Sequence, residues 1–186
     1  GLEELGRIAV ERSGGTELRC ADVGTGSGCV ALALATEWPG LSAVALDVSP
    51  QALKIAAANA QALELSGQVR FVHGDLLSAV APGSLDLVVS NPPYITPDEE
   101  HLLAPEVANF EPKQALFDAP GLPLTQALVK QAKAALRPGG ALAIETGYKS
   151  AEQVAAFMEA AGFTVVRRVK DLAEIDRVIV GRLPSA

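Results

Sequence analysis

Short apolar segments alternate with helical segments along nearly the whole chain, and this alternation restricts the fold more than any other feature. The helical segments show apolar residues at helical spacing, or are rich in alanine, and most end at glycine or proline. Alternation of this kind predicts an α/β fold with a mostly parallel sheet, helices on both faces, and ligands bound where the strands end. The predicted strands span 18–23, 43–46, 69–72, 85–90 and 141–145, the predicted helices span 2–9, 31–36, 50–65, 124–136 and 151–161, and an antiparallel hairpin joins 164–169 to 177–181.

The chain has the size and apolar content of one domain. Its 186 residues, 49% of them hydrophobic, can bury a sizeable core, and we expect a single domain over 1–186. Only 4% of the residues are aromatic, so the core must consist mainly of alanine, leucine and valine. The tripeptide Pro138-Gly139-Gly140 predicts a turn ahead of the fifth strand.

The charge and the reactive residues exclude several classes of partner. A formal net charge of −7 disfavours binding to nucleic acid through phosphate neutralisation, although a local basic patch stays open. Cys20 and Cys29 are expected to be free thiols, and His73 and His101 lack neighbours with metal-ligand spacing, so we expect no metal. Since no apolar run could span a bilayer and no basic signal opens the chain, we expect a cytoplasmic protein with no membrane partner. We also expect a monomer.

A glycine-rich loop follows the first predicted strand and opens a helix. Loops in this position let a nucleotide-like ligand approach the backbone at a helix N-terminus. A phosphate-binding P-loop is excluded because no Gly-Lys-Ser/Thr follows, and the third glycine comes one position early for a dinucleotide site. A tight turn without a ligand is the alternative. The loop consists of Asp22-Val23-Gly24-Thr25-Gly26-Ser27-Gly28.

Two further carboxylates come at predicted strand ends. Asp47 follows the second strand, where a carboxylate can accept both hydroxyls of a ribose in NAD or in S-adenosylmethionine. Asp75 follows the third strand and could hold an adenine amino group or simply shape its turn. The glycine loop and Asp47 together predict a nucleoside site.

The segment Asn91-Pro92-Pro93-Tyr94 leaves the fourth predicted strand next to this cleft and indicates the chemistry. A planar amide or exocyclic amine is a poor nucleophile, because its lone pair is delocalised. The side-chain oxygen of Asn91 and the carbonyl of Pro92 could each accept one N–H and aim that lone pair at a sulfonium methyl. The prolines make the backbone rigid, and Tyr94 offers a π-face to a flat group. A rigid loop with no catalytic role is the alternative.

These motifs together resemble the release factor glutamine methyltransferases, the HemK-like proteins. The resemblance covers nearly the whole chain and includes Ser90 to Ile95, Phe110-Glu111-Pro112 and Ala115-Leu116. The glycine loop alone would indicate only a class I methyltransferase, and the Asn-Pro-Pro-Tyr segment alone would also admit enzymes that methylate adenine in DNA or guanine in ribosomal RNA. The segment around Glu111 favours the protein glutamine branch.

The resemblance implies a Rossmann-like class I methyltransferase with a seven-stranded sheet and a reversed last strand. It implies an enzyme that uses S-adenosylmethionine, forms S-adenosylhomocysteine, and methylates the glutamine of a Gly-Gly-Gln loop in a peptide chain release factor. A non-catalytic domain that binds S-adenosylmethionine stays open. The candidate catalytic residues are Asn91, Pro92 and Tyr94. The candidate cofactor contacts are Asp22, Gly24, Thr25, Gly26, Ser27, Gly28, Asp47, Val48, Asp75, Leu76 and Asn91, and the candidate substrate contacts are Asn91, Pro92, Pro93, Tyr94 and Glu111.

The chain also departs from the family pattern. We expect the family's small N-terminal helical domain to be absent, since the segment before Leu18 is too short to form it. Residues 117–121 replace a glycine-rich sequence, and Glu174 stands where a glycine is common. Asp171, Asp176 and Arg177 are expected to form a surface ion pair at the hairpin. Glu145 either orients a loop or only ends its strand.

Overall fold

The computed structural model describes residues 17–95 and 116–185, which form a seven-stranded sheet in the order β3-β2-β1-β4-β5-β7-β6. Strands β1 to β5 pair in parallel, whereas β7 runs antiparallel to both β5 and β6. The predicted sheet and its reversed last strand are therefore confirmed. The strands are β1 Leu18–Val23, β2 Leu41–Asp47, β3 Val69–His73, β4 Leu85–Ser90, β5 Leu136–Glu145, β6 Thr164–Lys170 and β7 Asp176–Arg182.

Helices cover both faces of the sheet, as predicted. They are α1 Cys29–Glu37, α2 Pro50–Ala62, α3 Pro123–Ala135 and α4 Ala151–Ala161. Helices α1 and α2 pack on the face that carries Leu87 and Val89, and α3 and α4 pack on the face that carries Val88. Because successive residues of a strand point to opposite faces, this central strand is buried on both sides.

Local signals account for several helix ends. The Ser49 side chain accepts the Ala52 N–H at 3.2 Å, and α2 begins at Pro50, the first residue of the predicted helix. Gly162 adopts a left-handed φ of 96° and ends α4. Helix α1 begins at Cys29, two residues earlier than predicted, directly after Gly28.

The turn predicted at Pro138-Gly139-Gly140 is wrong as a boundary, because β5 already starts at Leu136. Leu85 of β4 pairs with Leu136 and Leu87 pairs with Ala141, so the intervening residues of β5 form an irregularity within one strand. Gly139 has a φ of 78° there, and proline has no N–H to give to a ladder. The turn residues thus bend the strand without ending it.

Three predictions fall outside the described residues, namely the first helix, His101 and the segment Phe110-Glu111-Pro112. The chain on either side of 96–115 is held together, since the Ile95 N–H donates to the Leu116 carbonyl at 3.0 Å and the Asp118 N–H donates to the Ile95 carbonyl at 3.0 Å. Within the described residues, no helix has the length and apolar character needed to cross a membrane.

The strand register brings the predicted site residues to one edge of the sheet. Val23 pairs with Leu46 on one side and with Ser90 on the other, and Ser90 in turn pairs with Ile144. The loops that follow β1, β2, β4 and β5 therefore leave the sheet side by side. Ligands of open α/β sheets bind at this edge.

Candidate active site

The glycine loop is shaped by the carboxylate of Asp22, which is completely buried at the end of β1. Its Oδ2 accepts the Thr25 hydroxyl at 2.7 Å and the Ala31 N–H at 3.0 Å. Gly28 precedes α1 and has no side chain to cap the helix. The Asp22 carboxylate therefore satisfies one of the free N–H groups in the first turn of α1. Asp22 therefore connects the strand, the loop and the helix.

Burial gives this carboxylate an unusual affinity for protons. It raises the pKa of Asp22 to about 6, against the opposing hydrogen bonds from Thr25 and Ala31, and the negative charge of Asp47 raises it further. The second oxygen, Oδ1, is buried and has no hydrogen-bond partner among the described residues. An unpartnered buried oxygen of this kind costs free energy until a donor or a cation reaches it.

The three glycines of the loop have different structural roles. Gly24 and Gly26 adopt φ values of 70° and 57°, and a Cβ on either would meet no atom within 4 Å. Gly28 has a φ of 87°, and its Cβ would lie 3.1 Å from Leu32 Cδ1 and 3.2 Å from Ala56 Cβ. The first two leave open space in front of the backbone, whereas the third lets α1 and α2 pack closely.

Asp47 ties the end of β2 to the same loop. Its Oδ2 accepts the Gly26 N–H at 2.9 Å, and its Oδ1 accepts the Ser49 N–H at 2.8 Å. A carboxylate has about four lone-pair sites, so both oxygens can still accept a further hydrogen bond. The neighbouring Val48 is 59% exposed, and its carbonyl accepts a hydrogen bond from His73 Nε2 at 3.0 Å.

Sequence reasoning missed Asn59, which lies on α2 and donates from Nδ2 to the Ser27 carbonyl at 2.9 Å. The Ser27 hydroxyl itself lies 3.1 Å from Cys29 Sγ. An asparagine in the middle of an alanine-rich helix gave no signal of this contact. The loop is thus held from α2 as well as from β1 and β2.

The residues after β3 form a strained turn next to the end of β2, where the Gly74 N–H donates to the Asp47 carbonyl at 3.1 Å. The Asp75 carbonyl accepts the Ser78 N–H at 3.1 Å, and its side chain is exposed. Leu76 adopts a φ of 49°, which is unfavourable for a residue with a Cβ, and packs partly into the core. Only the backbone carbonyl of Asp75 takes part in this hydrogen bond, so both expected roles of its side chain stay predictions.

Ser90 joins the loop after β4 to the strand before the glycine loop. Its hydroxyl donates to the Val23 carbonyl at 2.7 Å. The next residue, Asn91, is exposed, whereas Pro92 is buried. Asn91 lines a small cleft together with Val30 and Glu145. The amide of Asn91 is therefore exposed to solvent, and the residues on either side of it are held within the fold.

Tyr94 folds back towards the end of β5. A Cβ on Gly147 would lie 3.1 Å from Tyr94 Cδ2, so the ring packs against the bare backbone there. The Tyr94 hydroxyl forms a hydrogen bond with the Glu145 carboxylate. Burial raises the pKa of Glu145, while the positive charge of Arg177 and the hydrogen bond from Tyr94 lower it. This contact was also missed, because no local pattern links the two positions.

The hairpin between β6 and β7 contains the predicted ion pair in part. Arg177 Nε lies 2.8 Å from Asp171 Oδ2, but Asp176 Oδ2 lies 3.5 Å from Arg168 Nη1 and so belongs to another pair. Glu174 has a φ of 60°, which explains why a glycine would suit this position.

The strand order, the reversed β7 and the glycine loop that follows β1 define the fold of the class I S-adenosylmethionine-dependent methyltransferases. The chain belongs to the methyltransferase small domain family, whose model matches residues 9–108.

Comparison with curated and solved proteins supports this placement. The chain is 44% identical over 166 residues to the release factor glutamine methyltransferase of Cereibacter sphaeroides and 41% identical over 186 residues to that of Rhodospirillum rubrum. These alignments cover 89% and 100% of this chain, respectively. It spans 59% and 56% of the length of those relatives. Among solved structures, TrmN from Thermus thermophilus has 26% identity and a TM-score of 0.68, with 98% of this chain and 48% of that chain covered. The resemblance inferred from the motifs is confirmed.

The buried carboxylate predicts a pH-dependent stability. The folded chain holds the Asp22 proton up to about pH 6, whereas the unfolded chain releases it near 3.8. The contribution of Asp22 to the free energy of unfolding should therefore fall as the pH rises from 4 to 6, by about 3 kcal/mol in all. Urea unfolding at pH 4 to 7 should show that Asp22→Asn lacks this fall. Parallel profiles for the two proteins would contradict it.

The open space at Gly26 predicts a selective loss of ligand affinity. Gly26→Ala and Gly83→Ala place a Cβ at similar φ values, 57° and 61°, with no atom within 4 Å. Each should lower the free energy of unfolding by about 1 kcal/mol. Only Gly26→Ala should weaken binding of S-adenosylhomocysteine, by about tenfold or more, in calorimetry. Equal affinities in the two variants would show that no ligand lies against Gly26.

Proposed function

We propose that this chain transfers the methyl group of S-adenosylmethionine to the side-chain amide nitrogen of the glutamine in the Gly-Gly-Gln loop of a peptide chain release factor. One observation carries the proposal: the open glycine loop and the exposed amide of Asn91 follow adjacent strands, since Val23 pairs with Ser90. A cofactor over the loop would thus lie next to a residue able to hold an amide. The names of the relatives support the substrate.

The described residues fit S-adenosylmethionine. Gly24 and Gly26 leave room for it against the backbone, and the unpartnered Oδ1 of Asp22 offers a buried acceptor below the loop. Asp47 would accept the ribose hydroxyls with its remaining lone pairs. The side chains of Val48 and Leu76 would contact the base, and Asp75, Thr25, Ser27 and Gly28 complete the expected contacts. When bound, this cofactor supplies an electrophilic methyl group on a positively charged sulfur.

Asn91 and Pro92 would hold the substrate amide. Each offers one oxygen that accepts one N–H, which turns the nitrogen lone pair towards the cofactor. Pro93 keeps this backbone rigid, and Tyr94 supplies an aromatic face for the planar group. A strong base is not needed, because the proton can leave the nitrogen after transfer.

The extent of the catalytic unit is part of the proposal. All the described strands join one sheet, and we infer one catalytic domain over 1–186. Glu111 lies outside the described residues and stays an expected substrate contact. Since the chain spans little more than half of its relatives' length, the activity of the whole protein is inferred from this domain.

Transfer of labelled methyl from S-adenosylmethionine to a purified release factor tests the proposal. Label should enter the release factor and should vanish when its Gly-Gly-Gln glutamine is changed to alanine. Asn91→Ala should lower turnover about a hundredfold or more and should weaken binding of S-adenosylhomocysteine far less. Gln61→Ala removes an exposed amide on α2 and should change neither.

Two outcomes would overturn the proposal. Label that enters only an added nucleic acid would indicate methylation of a base nitrogen. Cofactor binding without label in any substrate would indicate a non-catalytic domain.

A further inference from the structure

Glu145 and Tyr94 are far apart in the sequence and meet only through the pairing of β4 with β5. Ser90 pairs with Ile144, so the residues that follow Ser90 leave the sheet beside Glu145, the last residue of β5. The carboxylate of Glu145 accepts the hydroxyl of Tyr94. The contact therefore joins the loop that carries Asn91 to the neighbouring strand.

Three contacts restrain Tyr94 and the residue that follows it. The ring packs on Gly147, where any Cβ would come within 3.1 Å of Cδ2. The hydroxyl is held by Glu145, and the following residue, Ile95, bridges to Phe117 in parallel. A side chain restrained at the ring, the hydroxyl and the adjoining backbone has little freedom to turn.

Glu145 also lines the cleft that Asn91 lines. The positive charge of Arg177 also acts on Glu145, while the Arg177 side chain pairs with Asp171 at 2.8 Å. Glu145 is half-buried, and this partial burial raises its pKa. Glu145 at the end of β5 thus differs from a strand end that is only solvated, because it contacts Tyr94 and lines the cleft.

We propose that Glu145 is a positioning residue for the methyl transfer, which holds the Tyr94 ring in place beside Asn91. The inference rests on the proposed function. A fixed ring limits the orientations of the planar substrate amide, and small errors in the placement of a reacting group cost large factors in rate. Glu145 acts through Tyr94, and it does not itself touch the substrate.

Methyl transfer by three variants of the full chain tests this role. Glu145→Ala and Tyr94→Phe should each lower kcat about tenfold, with unchanged affinity for S-adenosylhomocysteine. The double variant should be no slower than either one, because both remove the same contact. Glu145→Gln keeps an acceptor of equal length and should recover part of the rate. Glu152→Gln removes an exposed carboxylate paired with Arg168 and should leave kcat unchanged.

A second measurement does not depend on turnover. In the Tyr148→Phe background, Tyr94 is the only tyrosine, so a 13C label on the tyrosine ring reports on it alone. Glu145→Ala should shift the signal of the carbon that bears the hydroxyl, and Glu152→Gln should not. If the unsubstituted chain transfers no methyl, the proposed function fails while this signal still reports on the contact.

The role is overturned by wild-type kcat in Glu145→Ala, by multiplicative losses in the double variant, or by an unmoved Tyr94 signal. It is also overturned if the Gln and Ala variants lose thermal stability and cofactor affinity to the same extent, because this would show a structural role only.

Discussion

The hydrogen bonds of the buried Asp22 carboxylate join the end of β1 to the start of α1, and the shape of the glycine loop depends on them. One oxygen holds both the Thr25 hydroxyl and the Ala31 N–H, so the loop between them has little freedom. The loop is then held from two further directions, by Asp47 on β2 and by Asn59 on α2. The result is a preformed surface of open backbone at the edge of the sheet.

This arrangement of carboxylates carries an electrostatic cost. Asp22 and Asp47 both place negative charge around the loop, and burial already raises the pKa of Asp22 to about 6. A positively charged sulfonium with a primary ammonium group would lower this cost. The acidic character of the site is thus consistent with a cationic cofactor. The fold alone does not define the reaction, since one fold supports many activities, and the substrate side must be argued from Asn91 to Tyr94.

Much of the fold and part of the site could be predicted from the sequence. Strands such as Leu85–Ser90 are short, mostly apolar and fully buried. Their ends mark the loops that meet at the candidate site. The start of α2 at Pro50 was predicted correctly. The Pro138-Gly139-Gly140 turn was assigned wrongly, because a bulge and a strand boundary use the same residues. Local preference cannot distinguish them without the pairing partner in β4.

Contacts between distant residues were beyond sequence reasoning for a physical reason. The packing of Gly28 on Ala56 and the hydrogen bond of Tyr94 with Glu145 depend on the register of strands and on the crossing of helices. The positive φ of Glu174 could be suspected only because a glycine is common there in the family. The sequence alone identifies the residues of the edge, and the structure shows which of them touch.

A crystal structure of the chain with S-adenosylhomocysteine would test the central claim most directly. The account predicts the nucleoside over the ends of β1 and β2, with ribose oxygens within hydrogen-bond distance of Asp47 and the sulfur facing Asn91. A ligand bound away from the glycine loop, or a ribose without contact to Asp47, would contradict it.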